Sequence, residues 1–144
     1  MPLCERSNWF FLAQPAPLPE RLIGSNPDHY YFREGRDTFH PEALADYLRC
    51  CHDPATIHAM CEDYRAGATI DYQLDEADRG VKRIECPMLA LWGKRGQLEA
   101  WYDILSIWRD WANDVSGQAI DAGHYLAEEA PDQTFVALHA FFAG

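Results

Sequence analysis

At 144 residues the chain is the size of one ordinary domain, and 48% hydrophobic with 13% aromatic residues is ample core material, which excludes a disordered chain. With 23 acidic against 12 basic side chains the net charge is −11, and no basic stripe occurs, so nucleic acid and anionic membrane surfaces are poor partners. No apolar run approaches the roughly 18 residues of a membrane span, and Trp9-Phe10-Phe11-Leu12-Ala13 is too short for a signal-peptide core, so a soluble, cytoplasmic protein is expected.

Met1 to Asn8 leads straight into Trp9-Phe10-Phe11-Leu12, a bulky apolar cluster that reads as the end of a helix. Pro15, Pro17 and Pro19 then force an extended stretch. A short helix from Glu20 to Ile23 closes at Gly24; Ser25-Asn26-Pro27 caps another from about Asp28 to Arg33, ended by Gly35. Residues 41 to 51 make a clearer helix, with Pro41 in its first turn and Leu44, Tyr47, Leu48 and Cys51 at i, i+3, i+4 and i+7. Asp53-Pro54 is an N-cap followed by a first-turn proline, and Ile57, Met60, Cys61 and Tyr64 share one face of the helix it starts, which Gly67 terminates. Thr69 to Asp78 is a further short helix ending at Gly80. The first 80 residues therefore read as helical throughout, without a strand signal.

The pattern then changes. Pro87-Met88-Leu89-Ala90-Leu91-Trp92 is continuously apolar and stops at Gly93, as a strand covered on both faces does. Trp101, Ile104, Leu105 and Trp108 recur at helical spacing within a helix from Glu99 to Trp108. Val115 to Ile120 reads as a second strand, and Tyr125 onward as a helix with Ala130-Pro131 early and Phe135, Leu138 and Phe142 on one side. Strand, crossover helix and strand make a parallel βαβ unit. His124 then falls just past the C-terminal end of a parallel strand, the edge at which open α/β sheets bind ligands. The alternative is that Gly123 merely ends a strand and His124 is an exposed loop residue.

Other residue types carry less. Five cysteines, at 4, 50, 51, 61 and 86, have no Cys-x-x-Cys spacing and an odd total, so neither a disulfide framework nor a zinc site is suggested. His29, His40, His52, His58 and His139 show no metal-ligand spacing, and Asp71, Asp75, Glu76 and Asp78 read as a solvated helix face, so no metal or cofactor is expected. Glu128 and Glu129 lie near the start of the last helix, where acids favour the dipole. A run of helices followed by one βαβ unit supplies only two parallel strands, whereas parallel sheets need several. The chain is expected to be the C-terminal part of a larger α/β domain, or to pair with a partner that completes the sheet. A homodimer or association through an exposed sheet edge is the form such pairing would take.

Three blocks carry a resemblance covering nearly the whole chain: Phe11 to Glu20 (FLAQPAPLPE), Asp63 to Asp71 (DYRAGATID) and Gly123 to Pro131 (GHYLAEEAP). Their order and spacing resemble the haloacetate (fluoroacetate) dehalogenases of the α/β-hydrolase fold. The resemblance implies a partial α/β-hydrolase fold, with residues 1–80 a helical cap and residues 86–144 the last βαβα unit of a parallel core sheet. The family's His-Gly-Phe-Pro oxyanion segment, its Gly-His-Asp-Arg-Gly nucleophile elbow and the acid supporting its histidine are not found in these 144 residues.

In such enzymes a carboxylate displaces halide from the α-carbon of a small halocarboxylic acid, leaving an ester that a histidine-activated water hydrolyses. The resemblance makes His124 that general base. Most α/β-hydrolases place the supporting acid after the penultimate strand, yet Gly93-Lys94-Arg95-Gly96-Gln97 holds none. This fits the haloacetate dehalogenases, whose acid sits on an earlier strand, and argues against most epoxide hydrolases. Trp9 and Tyr64 match positions whose N–H and O–H donate to the departing halide, and Asn8 stands where the family usually has a histidine. From residue type alone, Trp9 and Tyr64 read equally as aromatics packed between helices. An ester or epoxide hydrolase on the same fold, and a chain without catalysis of its own, are the other readings.

Overall fold

The computed structural model describes residues 9–32 and 35–144. The chain divides into two compact units, Met1–Glu76 and Ala77–Gly144. In the first, residues 9–12 are helical, followed by α1 (Leu18–Ser25), α2 (Pro27–Phe32), a 3₁₀ turn at Arg36–Thr38, α3 (Pro41–Cys51), α4 (Pro54–Ala68) and α5 (Ile70–Asp78). The expected end of α2 at Arg33 lies outside the described residues.

Local chemistry accounts for most starts. Asn26 Oδ1 accepts the His29 N–H at 3.2 Å, and Asp53 Oδ1 accepts the Ala55 N–H at 3.0 Å. Pro27, Pro41 and Pro54 occupy the first helical positions, where a missing N–H costs nothing. Gly24 and Gly67 are each the penultimate residue of their helix, so α1 and α4 end one residue after them, at Ser25 and Ala68. Leu12, Ile23, Ile57 and Cys61 are buried together, with Phe11, Tyr30, Tyr31 and Tyr64 packed around them. The Tyr31 hydroxyl contacts Met60 Sδ at 3.6 Å, and burial pushes its pKa up. The acidic helix α5 buries no residue, as its composition predicts.

The second unit contains β1 (Met88–Gly93), α6 (Leu98–Trp101), α7 (Ile104–Trp111), β2 (Val115–Ile120), α8 (Leu126–Glu129) and α9 (Pro131–Ala143). The two strands pair in parallel from Met88↔Val115 to Gly93↔Ile120, and a single bridge between Ile84 and Ala112 extends the ladder. Two expected helices are each broken in two. Tyr102 is extended, and Asp103 Oδ1 caps the Ser106 N–H at 3.0 Å, so the helix restarts there and Trp101 leaves the Ile104–Trp108 stripe. Ala130 leaves the helical region immediately before Pro131, where the proline ring disfavours a helical predecessor.

Packing across the strand ends is tight. A Cβ on Gly93 would stand 1.7 Å from the Gly123 carbonyl oxygen and 2.8 Å from that of Ala122, so only glycine permits the loop after β2 to lie on β1. Ile120, Ala122 and Ala130 form the buried centre, with Leu91, Leu126 and Ala137 against it. The strand is less covered than its run of apolar residues predicts: only Ala90 and Gly93 of β1 are buried. On α9 the side carrying Phe135 and Phe142 is open, at 65% and 79% exposure.

Two outcomes follow. Gly93→Ala should destabilise the second unit by about 3 kcal/mol or more, because backbone oxygens cannot swing aside as a side chain can; denaturant unfolding measures it. The exposed aromatics should drive concentration-dependent self-association of the chain, read by light scattering, and Phe135→Glu with Phe142→Glu should reduce it. A monodisperse chain at all concentrations would contradict the second.

Candidate functional site

The backbone between β2 and α8 is zipped to the loop after β1. Lys94 N–H donates to the Ile120 carbonyl at 2.8 Å and Arg95 N–H to that of Ala122 at 2.9 Å. Beyond this zipper the chain turns through Gly123 and His124. His124 is exposed, as a residue past a parallel strand end is expected to be. Its ring meets Tyr125 edge-on, centroids 5.1 Å apart, and makes no hydrogen bond among the described residues.

A carboxylate nevertheless governs this loop. Glu129 Oε2 accepts the Gly123 N–H at 2.7 Å, and Oε1 accepts the Tyr125 N–H at 3.1 Å. Arg95 Nη2 donates to Oε2 at 3.1 Å, while its Nη1 reaches Asp121 Oδ1 at 3.2 Å. The Gly123 N–H first, and then that of Tyr125, hold the Glu129 carboxyl below its ordinary pKa; burial opposes them and Arg95 adds to the lowering. Sequence reasoning assigned Glu129 only a place near a helix start. The signal was close to a capping box, which would use Glu128 at the third helical position, but the residue after it is the one that reaches back.

The first unit holds the other predicted residues. Trp9 and Tyr64 are brought together, ring centroids 4.9 Å apart and nearly perpendicular. Neither the Trp9 indole N–H nor the Tyr64 hydroxyl has a hydrogen-bond partner among the described residues. Asn8, expected beside them, lies outside the described residues. Two features position the pair. Gly67 lies under the indole, where a Cβ would stand at an ordinary contact distance of 3.4 Å from Trp9 Cζ3. Arg65, next to Tyr64 on α4, donates from Nε to the Gln14 carbonyl at 2.8 Å and so ties α4 to the segment that follows Trp9.

Arg65 is mostly buried and also holds two acids. Nη1 bonds Glu62, and Nη2 lies 2.8 Å from Glu20 Oε1 in a charge contact too bent to count as a hydrogen bond. Burial raises the Glu20 pKa, but its own backbone hydrogen bond, Arg65 and His58 outweigh it, and the net shift is downward. Glu20, His58 and Glu62 place potential metal-ligand atoms within 4.8 Å of one another, a cluster the sequence spacing did not reveal because Glu20 comes from α1. Arg65 already supplies the cation there. Cys50, Cys51, Cys61 and Cys86 are free thiols, and burial raises the pKa of Cys51 and Cys61, which makes them poor nucleophiles. No helix among the described residues is long and apolar enough to cross a membrane.

No protein-family model matches the chain. It is 36% identical over 143 residues to a fluoroacetate dehalogenase from Burkholderia sp, which takes in 94% of this chain and 47% of that protein. A solved structure assigned to the α/β hydrolases, from Nostoc sp PCC 7120, superposes with a TM-score of 0.89 at 50% identity, over 95% of this chain and 49% of the other. One from Pseudomonas aeruginosa, assigned as an epoxide hydrolase, superposes at 0.87 with 46% identity, over 95% and 48%. The fold is therefore that of the α/β-hydrolases, seen in part. Within it, the chain resembles the fluoroacetate dehalogenase over nearly its whole length, and it spans about half the length of the relatives it matches.

Because the Glu129 pKa is lowered on folding, its contribution to stability is full above the ordinary value of 4.5 and is lost as pH falls through the lowered native value. Glu129→Gln should therefore flatten the acid limb of a stability–pH curve taken by denaturant midpoint. Arg65→Met should destabilise the first unit in denaturant unfolding, since it strands the Gln14 carbonyl and leaves the 14%-exposed Glu20 without its guanidinium.

Proposed function

We propose that the chain is the cap (residues 1–80) and C-terminal core (86–144) of a hydrolase that cleaves the carbon–halogen bond of a small halocarboxylic acid. The observation that carries this reading is the 36% identity to a fluoroacetate dehalogenase across almost the whole chain. It is supported by His124, exposed in a turn just past a parallel strand end with an imidazole no neighbour consumes.

In this reading a carboxylate from outside these residues attacks the α-carbon, the carbon–halogen bond breaks, and halide leaves with the bonding pair. An ester joins enzyme and acid. His124 then takes a proton from water as its oxygen attacks the ester carbonyl, and the hydroxy acid departs. An imidazole suits this step because its intrinsic pKa lies near neutrality. Trp9, Tyr64 and Asn8 would receive the halide; the unengaged indole N–H and phenol O–H are available for it. The acid that orients His124 would also lie outside the chain, in agreement with an imidazole that no carboxylate bonds here.

The test fuses this chain behind the N-terminal half of the Burkholderia dehalogenase and follows halide release from chloroacetate and fluoroacetate. Release is expected, and His124→Asn should abolish turnover while trapping the ester, visible as a mass increase on the nucleophile. Turnover that survives His124→Asn would overturn the assignment. A second reading, an epoxide hydrolase, draws on the likeness to the Pseudomonas aeruginosa structure, and diol formation from an epoxide without halide release would favour it. Steady activity of the 144 residues alone, lost on His124→Ala, would refute a chain without catalysis of its own.

A further inference from the structure

Glu129 binds the backbone on both sides of His124 and leaves the ring itself untouched. Its two oxygens take the N–H groups of Gly123 and Tyr125, the residues on either side of the histidine. A planar carboxylate has fixed spacing between its oxygens, so accepting one amide on each restrains the peptide before Gly123 and the peptide after His124 relative to each other. The backbone from which the His124 side chain projects is restrained by that pair of bonds. An ordinary helix cap would need only the Tyr125 N–H, because Gly123 stands outside α8 altogether.

The carboxylate is itself anchored. Arg95, from the loop after β1, donates to Oε2 and bridges to Asp121 at the end of β2. Arg95 N–H is bonded to the Ala122 carbonyl, so the guanidinium starts from a fixed backbone. Gly123 leaves the room required: a Cβ there would come 2.9 and 3.0 Å from the two Glu129 oxygens. Glu129, Arg95, Asp121 and the backbone of Gly123 and Tyr125 thus converge as a clamp on the turn that carries His124.

We infer that Glu129, held by Arg95, is the positioning residue of His124, fixing the bearing of its imidazole through the Gly123 and Tyr125 amides. Its value for turnover rests on the reading of His124 as general base; the clamp itself does not. A base must stand within hydrogen-bond reach of the water it activates, and a small displacement costs rate steeply. Within the described residues the restraint acts through the backbone, and it complements an acid that would bond the ring from outside them.

The experiment is NMR spectroscopy of the ¹⁵N-labelled 144-residue chain, comparing the wild type with Glu129→Gln, Glu129→Asp and Glu128→Gln. In Glu129→Gln the Gly123 and Tyr125 amide protons should move upfield and exchange about tenfold faster or more, and the His124 ring resonances should shift, with Leu91 and Ile120 unchanged. Glu129→Asp, one methylene short, should show the same loss, and Glu128→Gln should show none. The wild type provides a measurement that survives a variant that fails to fold. The charged groups facing Glu129 are Arg95 and, through it, Asp121, with Glu128 its neighbour in the chain. On acidification the Gly123 amide should report a carboxyl titrating below 4.5. A Gly123 amide blind to acid, or His124 ring signals unchanged in a folded Glu129→Gln, would overturn the inference. Halide release that fails in the fused enzyme while these signatures hold would sink the dehalogenase reading and leave the clamp standing.

Discussion

The close approach of Gly93 to the Gly123 carbonyl is the constraint on which the second unit depends. Parallel strands bring their C-terminal ends to one edge, but they do not by themselves decide what the following loops do there. With no side chain at Gly93, the backbone after β2 lies directly on the end of β1, within a distance no Cβ would allow. The zipper from Lys94 and Arg95 to Ile120 and Ala122 forms on that contact, and the turn carrying His124 begins where the zipper stops.

The first unit is organised around Arg65 in a comparable way. A guanidinium has five donors in a rigid fork, and this one divides them among a backbone carbonyl near residue 9 and two acids on separate helices. The consequence is that α4 cannot move independently of the segment bearing Trp9. Tyr64, one residue away, meets the indole edge-on, and Gly67 gives the indole its seat. Aromatic packing of Trp9 against Tyr64 therefore leaves the indole N–H and the phenol O–H without a partner among the described residues. The ring contact orients the residues, and the polar atoms at their rims stay unengaged.

Similarity to half of a longer enzyme agrees with what the strands themselves demand. Two parallel strands leave Phe135 and Phe142 of the last helix open, and an α/β sheet hides such faces beneath further strands and helices. The relatives are about twice this length, and the likeness is distributed over both units rather than confined to one.

Periodicity and capping chemistry made much of this fold legible in the sequence. The two strands, their parallel order, the starts of α3 and α4 at His40-Pro41 and Asp53-Pro54, and the buried Ile57–Cys61 face could all be read from local pattern, because each depends on residues within about two turns of one another. His124 was legible for the same reason, as a Gly-His pair at a strand end. Gly24 and Gly67 marked the helix ends to within one residue, since α1 and α4 stop at Ser25 and Ala68. What local pattern missed was decided by contacts between distant residues or by a single competing interaction. The stripe from Trp101 to Trp108 looked continuous, yet Asp103 caps a new helix inside it. Glu129 looked like one of two acids favouring a helix dipole, while its partners Gly123 and Arg95 lie 6 and 34 residues away. The sequence by itself determined which elements form and where the histidine stands, since secondary structure and strand ends follow from short-range sterics and hydrogen bonding. Only the tertiary structure decided how that histidine's loop is held and why Gly93 could be nothing else, since those follow from where backbone and charge meet across the fold.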